Sequence, residues 1–121
     1  MLSDPNRPLY EVKAGLFKGL AHPIRIRILE VLSGTPEATV SDLLRVVELE
    51  PSHVSQHLAV LRRNRLVVSE RRGSLVFYRL AYPQVADLLH VARELLGEIL
   101  HTTQQQLVES EHLPHITTPR P

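Results

Sequence analysis

The chain has 121 residues, 43% apolar and 22% charged, which fits one globular domain with a modest core. Aromatic residues make up only 4%, with no Trp, so the core must be aliphatic; with no Cys, disulfides, thiolate metal sites and thiol nucleophiles are excluded together. The formal net charge is only +1, so any attraction to a polyanion has to come from how the charge is distributed.

Residues 1–8 hold two Pro, an Asn and a Ser and are expected to form a flexible tail. The opening MLSDPNRPLY has no apolar signal core, and no apolar run nears the roughly 18 residues of a membrane span, so a chain that is neither exported nor membrane-bound is expected. Leu9–Leu20 reads as a helix, with Leu9, Val12, Leu16, Phe17 and Leu20 at helical spacing and Lys13 and Lys18 outside. Gly15 and Gly19 each weaken it by about 1 kcal/mol. Being four apart they share a face, which either admits another backbone closely or is simply tolerated surface. Ala21-His22-Pro23 breaks the helix, and Pro23 suits the first turn of the next, 23–32, with Ile24, Ile28, Leu29 and Leu32 inward and Arg25 and Arg27 outward. After Ser33-Gly34-Thr35-Pro36, Thr39 or Ser41 can cap a third helix over about 40–47, with Leu43, Leu44 and Val47 inward.

Glu48-Leu49-Glu50 then links to a fourth helix with Pro51 at its first position. Two short helices so joined form the helix-turn-helix pattern, in which Glu48 stands near the place of a left-handed residue. In the fourth helix, 50–64, Val54, Leu58 and Leu61 fall at i, i+4 and i+7 and make one apolar stripe. The opposite face carries Ser52, His53, Ser55, Gln56 and Arg63, with no carboxylate after Glu50. A merely solvated face would be rich in Glu and Lys; this one suits an approach to phosphates and base edges.

After Asn64 the apolar period changes from 3.6 to 2. Strands over 65–70 and Leu75–Leu80, with Arg71-Arg72-Gly73-Ser74 between them, predict a β-hairpin with two Arg at its tip. A lone hairpin is unstable in water and must pack on the helices. The expected fold is therefore mainly α with one hairpin, a winged helix-turn-helix. From Val85 the apolar residues Leu88, Leu89, Ala92, Leu95, Leu96, Ile99, Leu100 and Leu107 mark a long Leu-rich helix that the small body before it cannot cover. A second copy covers it most simply, giving a homodimer through the N- and C-terminal helices. The domain is expected to span 9–109, and 110–121, with Pro114, Pro119 and Pro121, to form a second flexible tail. Over 51–80 six Arg face one Glu; over 84–112 one Arg faces five carboxylates. A basic middle and an acidic last helix point to a polyanion-facing module with a separate helix for another task.

The segments LFKGLAHPIRIRILEVL (16–32), PSHVSQHLAVLRRNRLV (51–67) and RRGSLVFYRL (71–80), with the spacing between them, resemble the ArsR/SmtB winged-helix transcriptional repressors over about residues 9–100. The resemblance implies a prokaryotic, cytoplasmic, nucleoid-associated homodimer that binds a palindromic double-stranded DNA operator and represses. It places the fourth helix in the major groove with Ser52, His53, Ser55, Gln56 and His57 as the groove-facing set. Alternatively His57 is a half-buried, hydrogen-bonded helix residue. Arg62, Arg63 and Arg65 would anchor phosphates, and the tip with Arg71, Arg72 and Ser74 would lie over the flanking backbone or minor groove.

The same resemblance raises metal sensing. A thiolate site is impossible without Cys. His90 and His101 have ten residues between them, so about 1100° of helical rotation leaves them on one face within roughly 20°, where two antiparallel helices could form an intersubunit Ni or Zn site, a series His112 continues if the helix reaches that far. Against it, the family's pattern is Asp-x-His, ten residues, then His-x-x-Glu or His, starting almost directly after the hairpin; here Leu88 stands two before His90 with Asp87 one residue out of place, Gln104 stands three after His101, and His90 comes about six residues late. No metal site and no cofactor are therefore expected, with a Ni/Zn-responsive repressor as the alternative. The signal itself stays open between a small inducer, a co-regulatory protein and none. A winged-helix protein-docking module is a further alternative, against which the basic tip and carboxylate-poor face speak. An enzyme is not expected: no Gly-rich phosphate loop and no nucleophile-elbow Ser is present. If Gln56 pairs with an adenine edge, Gln56→Ala should relax base preference more than it lowers nonspecific affinity in competition titrations; equal loss on all sequences would refute that role.

Overall fold

The computed structural model describes residues 5–111. The outer parts of the two expected tails, and His112, lie outside that range. The elements are α1 (Leu9–Leu20), α2 (Pro23–Ser33), α3 (Val40–Leu44), α4 (Pro51–Arg63), β1 (Val67–Arg72), β2 (Leu75–Leu80) and α5 (Gln84–Glu111). They divide into two units, one up to Asp87 and one from Leu88 onward, whose described residues are the rest of α5.

In the first unit α4 packs against α1, α2, α3 and β1. Its apolar stripe explains why. Val54, Leu58 and Leu61 are essentially inaccessible, as are Ile28 and Leu29 of α2, Leu43 of α3 and Val67 of β1. Burying an aliphatic side chain of this size contributes about 1.5–3 kcal/mol. No polar or charged residue is buried among the described residues, so the core needs no internal hydrogen-bond network.

Local chemistry sets each helix boundary. The Nδ1 of His22 accepts a hydrogen bond from the Ile24 amide at 3.1 Å, and Pro23 follows at the first helical position of α2. Thr39, not Ser41, caps α3: its hydroxyl accepts from the Asp42 amide while the Asp42 carboxylate accepts from the Thr39 amide. Those bonds from Thr39 hold the Asp42 carboxyl below its usual range. α3 stops at Leu44, short of the expected 47, because the chain tightens there: the Arg45 and Val46 amides bond back three residues, to Asp42 and Leu43. Glu48 is not left-handed.

The left-handed residue lies at the other end of α4. Arg65 has φ 60°, the one positive φ outside glycine among the described residues. Its amide bonds to Arg62 O, and the next amide, Leu66, reaches back to Leu61 O, each at 3.0 Å. This is a Schellman ending, completed by two buried leucines, with Arg where glycine is usual. Arg65 is thus the turn out of the helix rather than the start of a strand, and β1 begins at Val67 instead of 65.

β1 and β2 pair antiparallel from Val67↔Leu80 to Arg72↔Leu75, so the turn is Gly73-Ser74 alone, with Gly73 at φ 63°. Arg71 and Arg72 therefore end β1 on opposite faces of the ribbon, where the sequence reading put both in the turn. Ala38 adds a one-residue bridge to Tyr78, with paired bonds of 2.9 and 2.8 Å, and ties the hairpin to the start of α3. Helices α3 and α4 with a packed hairpin after them make this a winged helix-turn-helix, mainly helical.

The two glycines of α1 differ. A Cβ on Gly19 would stand 2.9 Å from Cγ of Asn64, whose side-chain amide donates to Val60 O at 2.8 Å; one on Gly15 would meet nothing within 4 Å. What approaches Gly19 is a side chain rather than a backbone. In urea denaturation Gly15→Ala should gain about 1 kcal/mol from helix propensity. Gly19→Ala should lose stability, because overpacking of about 1–3 kcal/mol exceeds that gain. Equal gains from both would remove the close approach from the account.

Candidate nucleic-acid interface

Burying Val54, Leu58 and Leu61 turns the other side of α4 outward. Ser52, His53, Ser55 and Gln56 are all exposed, and Pro51 and the uncapped Glu50 leave the helix start free of a side-chain cap. Arg62 and Arg63 stand in the last turn, where cations oppose the helix dipole favourably, and Arg65 projects from the left-handed corner just beyond. Arg62 reaches Ser69 Oγ at 3.5 Å. Among the described residues no carboxylate comes within ion-pairing distance of Arg62, Arg63, Arg65 or Arg71.

Arg72 is different. Its guanidinium donates to Glu37, lies 3.2 Å from Glu70 Oε2, and stacks 4.0 Å above the Phe77 ring. The hydrogen bond to Glu37 holds it firmly charged. Glu70, Arg72 and Phe77 share one face of the ribbon, so Arg72 lies across Phe77 toward the segment before α3. Its charge is already offset inside the protein. Arg71, on the opposite face, and Ser74, in the turn, are exposed.

His57 has surroundings the sequence showed only in part. It is half-buried, with its ring centroid 4.3 Å from that of His22 and the planes tilted by 43°. Desolvation, then the positive surroundings from His22, Arg25 and His53, push its pKa below the ordinary imidazole value. Arg25 donates to Gly19 O at 2.7 Å and thereby joins α2 to the end of α1. Sequence reasoning passed over His22 and Glu37. A His directly before a Pro at a helix start is an available N-cap signal for the first; the second depends on tertiary pairing and leaves none.

His90 and His101 are exposed on α5, and His90 Nε2 lies 3.6 Å from Glu94 Oε1. Eleven residues of helix separate the two imidazoles by about 16 Å, so they cannot share one ion within a chain. Among the described residues no three His, Asp or Glu side chains gather as metal ligands. Leu88 and Gln104, at the flanking positions, add neither an imidazole nor a carboxylate donor beside the two histidines.

Comparison with known proteins agrees with this geometry. Residues 22–69 match the family model described as "Bacterial regulatory protein, arsR family". The uncharacterized HTH-type transcriptional regulator Rv0081 of Mycobacterium tuberculosis is 46% identical over 95 residues, which is 78% of this chain and 83% of that protein. Its crystal structure superposes with a TM-score of 0.73, covering 81% of this chain and 98% of that one at 45% identity. The transcriptional activator HlyU of Vibrio cholerae is 36% identical over 66% of this chain and 73% of its own, and its reduced form superposes with a TM-score of 0.64 at 34% identity, over 72% and 92% of the two chains. The transcriptional repressor PagR of Bacillus anthracis is 30% identical over 65% of this chain and 79% of its own. Its structure superposes with a TM-score of 0.62 at 28% identity, over 69% and 95%. This chain belongs to the ArsR/SmtB family: it is a DNA-binding winged helix-turn-helix transcriptional regulator, not an enzyme.

Proposed function

We propose that this protein is a homodimeric repressor that binds a palindromic operator through α4. The observation that carries this reading is the exposed face of α4: Ser52, His53, Ser55 and Gln56 side by side, with no carboxylate, opposite a fully buried stripe. These are short donors and acceptors able to reach base edges, and Gln56 suits the N6/N7 edge of adenine. Arg62, Arg63 and Arg65, unmatched by carboxylates, supply phosphate contacts and salt-dependent affinity. In the wing Arg71 and Ser74 contact the flanking backbone, while Arg72 chiefly braces the hairpin through Glu37 and Phe77.

The dimer reading rests on uncovered apolar surface. Leu9, Tyr10 and Phe17 of α1 are 55–74% exposed, and Leu95, Leu96, Ile99 and Leu100 of α5 are 51–61% exposed. An uncovered apolar stripe on each of these helices marks a protein interface. A two-fold dimer presents two copies of α4, which calls for half-sites separated by one helical turn, about 34–36 Å, or a multiple of it. Repression requires no surface beyond these, because an occupied operator is closed to other proteins.

Fluorescence anisotropy on DNA from upstream of the gene, against a scrambled duplex over a salt series, tests the reading. A clear preference for the native duplex is expected, and its absence at every salt concentration would overturn operator binding. Arg71→Ala should weaken all duplexes similarly and lower the salt slope by about 1, while Arg72→Ala should chiefly lower thermal stability. The converse pattern would reverse the roles of the two arginines. Leu95→Glu with Leu96→Glu should give monomers by light scattering and lose operator affinity; a persistent dimer would place the interface elsewhere.

A further inference from the structure

Where α2 meets α4, four cationic or protonatable side chains gather with no carboxylate among them. His22 and His57 stack at 4.3 Å, His53 lies one turn before His57 on the same helix face, and Arg25 is fixed beside them by its bonds to Gly19 O and Lys18 O. Every charge acting on His57 is positive: His22 and Arg25 from α2, and His53 from α4 itself. From α1 the neighbouring groups are the two carbonyls that Arg25 engages. The carboxylates of α3 and β1 are held elsewhere, Asp42 by Thr39 and Glu70 by Arg72.

An imidazole normally gains a proton near pH 6.5. Here a proton added to His57 meets desolvation and positive neighbours, so the free protein resists protonating it, and acidification through its unfolded value of about 6.5 costs the protein stability. The negative charge that the cluster lacks is what a DNA backbone brings to α4. His53 shares the exposed face with Ser52 and Gln56, and His57 and His22 continue from it into the body. We propose that His57 takes up a proton when DNA binds, so that operator affinity rises as the pH falls from 7.5 to 6.0. His22 acts as a positioning residue, holding the His57 ring and setting the charge around it. This inference rests on the reading that α4 contacts DNA.

The sign follows from linkage: if the complex holds more protons than the separated partners, lowering the pH favours the complex. Anisotropy with the full chain and the upstream duplex, at constant ionic strength from pH 8.0 to 6.0, should show Kd falling about three- to tenfold between pH 7.5 and 6.0, up to tenfold per pH unit for each proton taken up. His57→Gln should flatten this slope. So should His22→Asn, which keeps an oxygen to cap the Ile24 amide. His101→Gln, away from the cluster, should leave it unchanged. Circular dichroism melts establish that the variants fold, and imidazole NMR titrations should show His57 titrating at higher pH once duplex is added. A flat profile in the wild-type chain, weaker binding at low pH, or a slope that survives both cluster substitutions would each overturn the inference while leaving DNA binding intact. No binding at any pH would instead overturn the α4 reading, and this inference with it.

Discussion

The burial of Val54, Leu58 and Leu61 is the constraint on which the first unit depends. Three side chains on one stripe of a 13-residue helix are almost wholly withdrawn from water, and every neighbouring element is placed by what it adds to that contact. α2 supplies Ile28 and Leu29, α3 supplies Leu43, and β1 supplies Val67. Because the helix can bury only one stripe, the same packing fixes which residues face outward. The polar set Ser52, His53, Ser55 and Gln56 is presented by the core rather than by contacts of its own.

Charge is handled differently on the two sides of that helix. At its far end Arg62, Arg63 and Arg65 stay uncompensated, which costs little in water and leaves them free for phosphate. In the wing, one arginine of an adjacent pair is neutralised by Glu37 and Glu70 and laid over Phe77, and the other is left open. The alternation of a β-strand makes this division unavoidable once both residues lie in β1. One arginine then serves the wing's attachment to the body, where Ala38 and Tyr78 already pair, and the other stays exposed.

Arg65 shows where local preference was overridden. A left-handed conformation costs a residue with a Cβ about 1–2 kcal/mol, which is why glycine usually ends a helix in this way. Here the bonds from the Arg65 and Leu66 amides and the burial of Leu61 and Leu66 hold the corner, and a guanidinium projects from it. Retaining a cation where glycine would be more stable is consistent with use of the side chain outside the fold.

Periodicity alone located α1, α2, α4, α5 and the hairpin, because each buries a single face and the spacing of its apolar residues records that face. The aliphatic stripe of α4 and its carboxylate-free opposite face were legible for the same reason, and with them the nucleic-acid reading. Boundaries set by backbone geometry were not. The early end of α3, the left-handed corner at Arg65 and the two-residue turn at Gly73-Ser74 depend on hydrogen bonds that leave little trace in composition. Nor could spacing reveal partners distant in the chain. That Arg72 is bound to Glu37, that Asn64 fills the space above Gly19, and that His22 stacks on His57 were decided by the packing of α1, α2 and β1 around α4, since residues far apart in sequence acquire an interaction only when the fold brings them together.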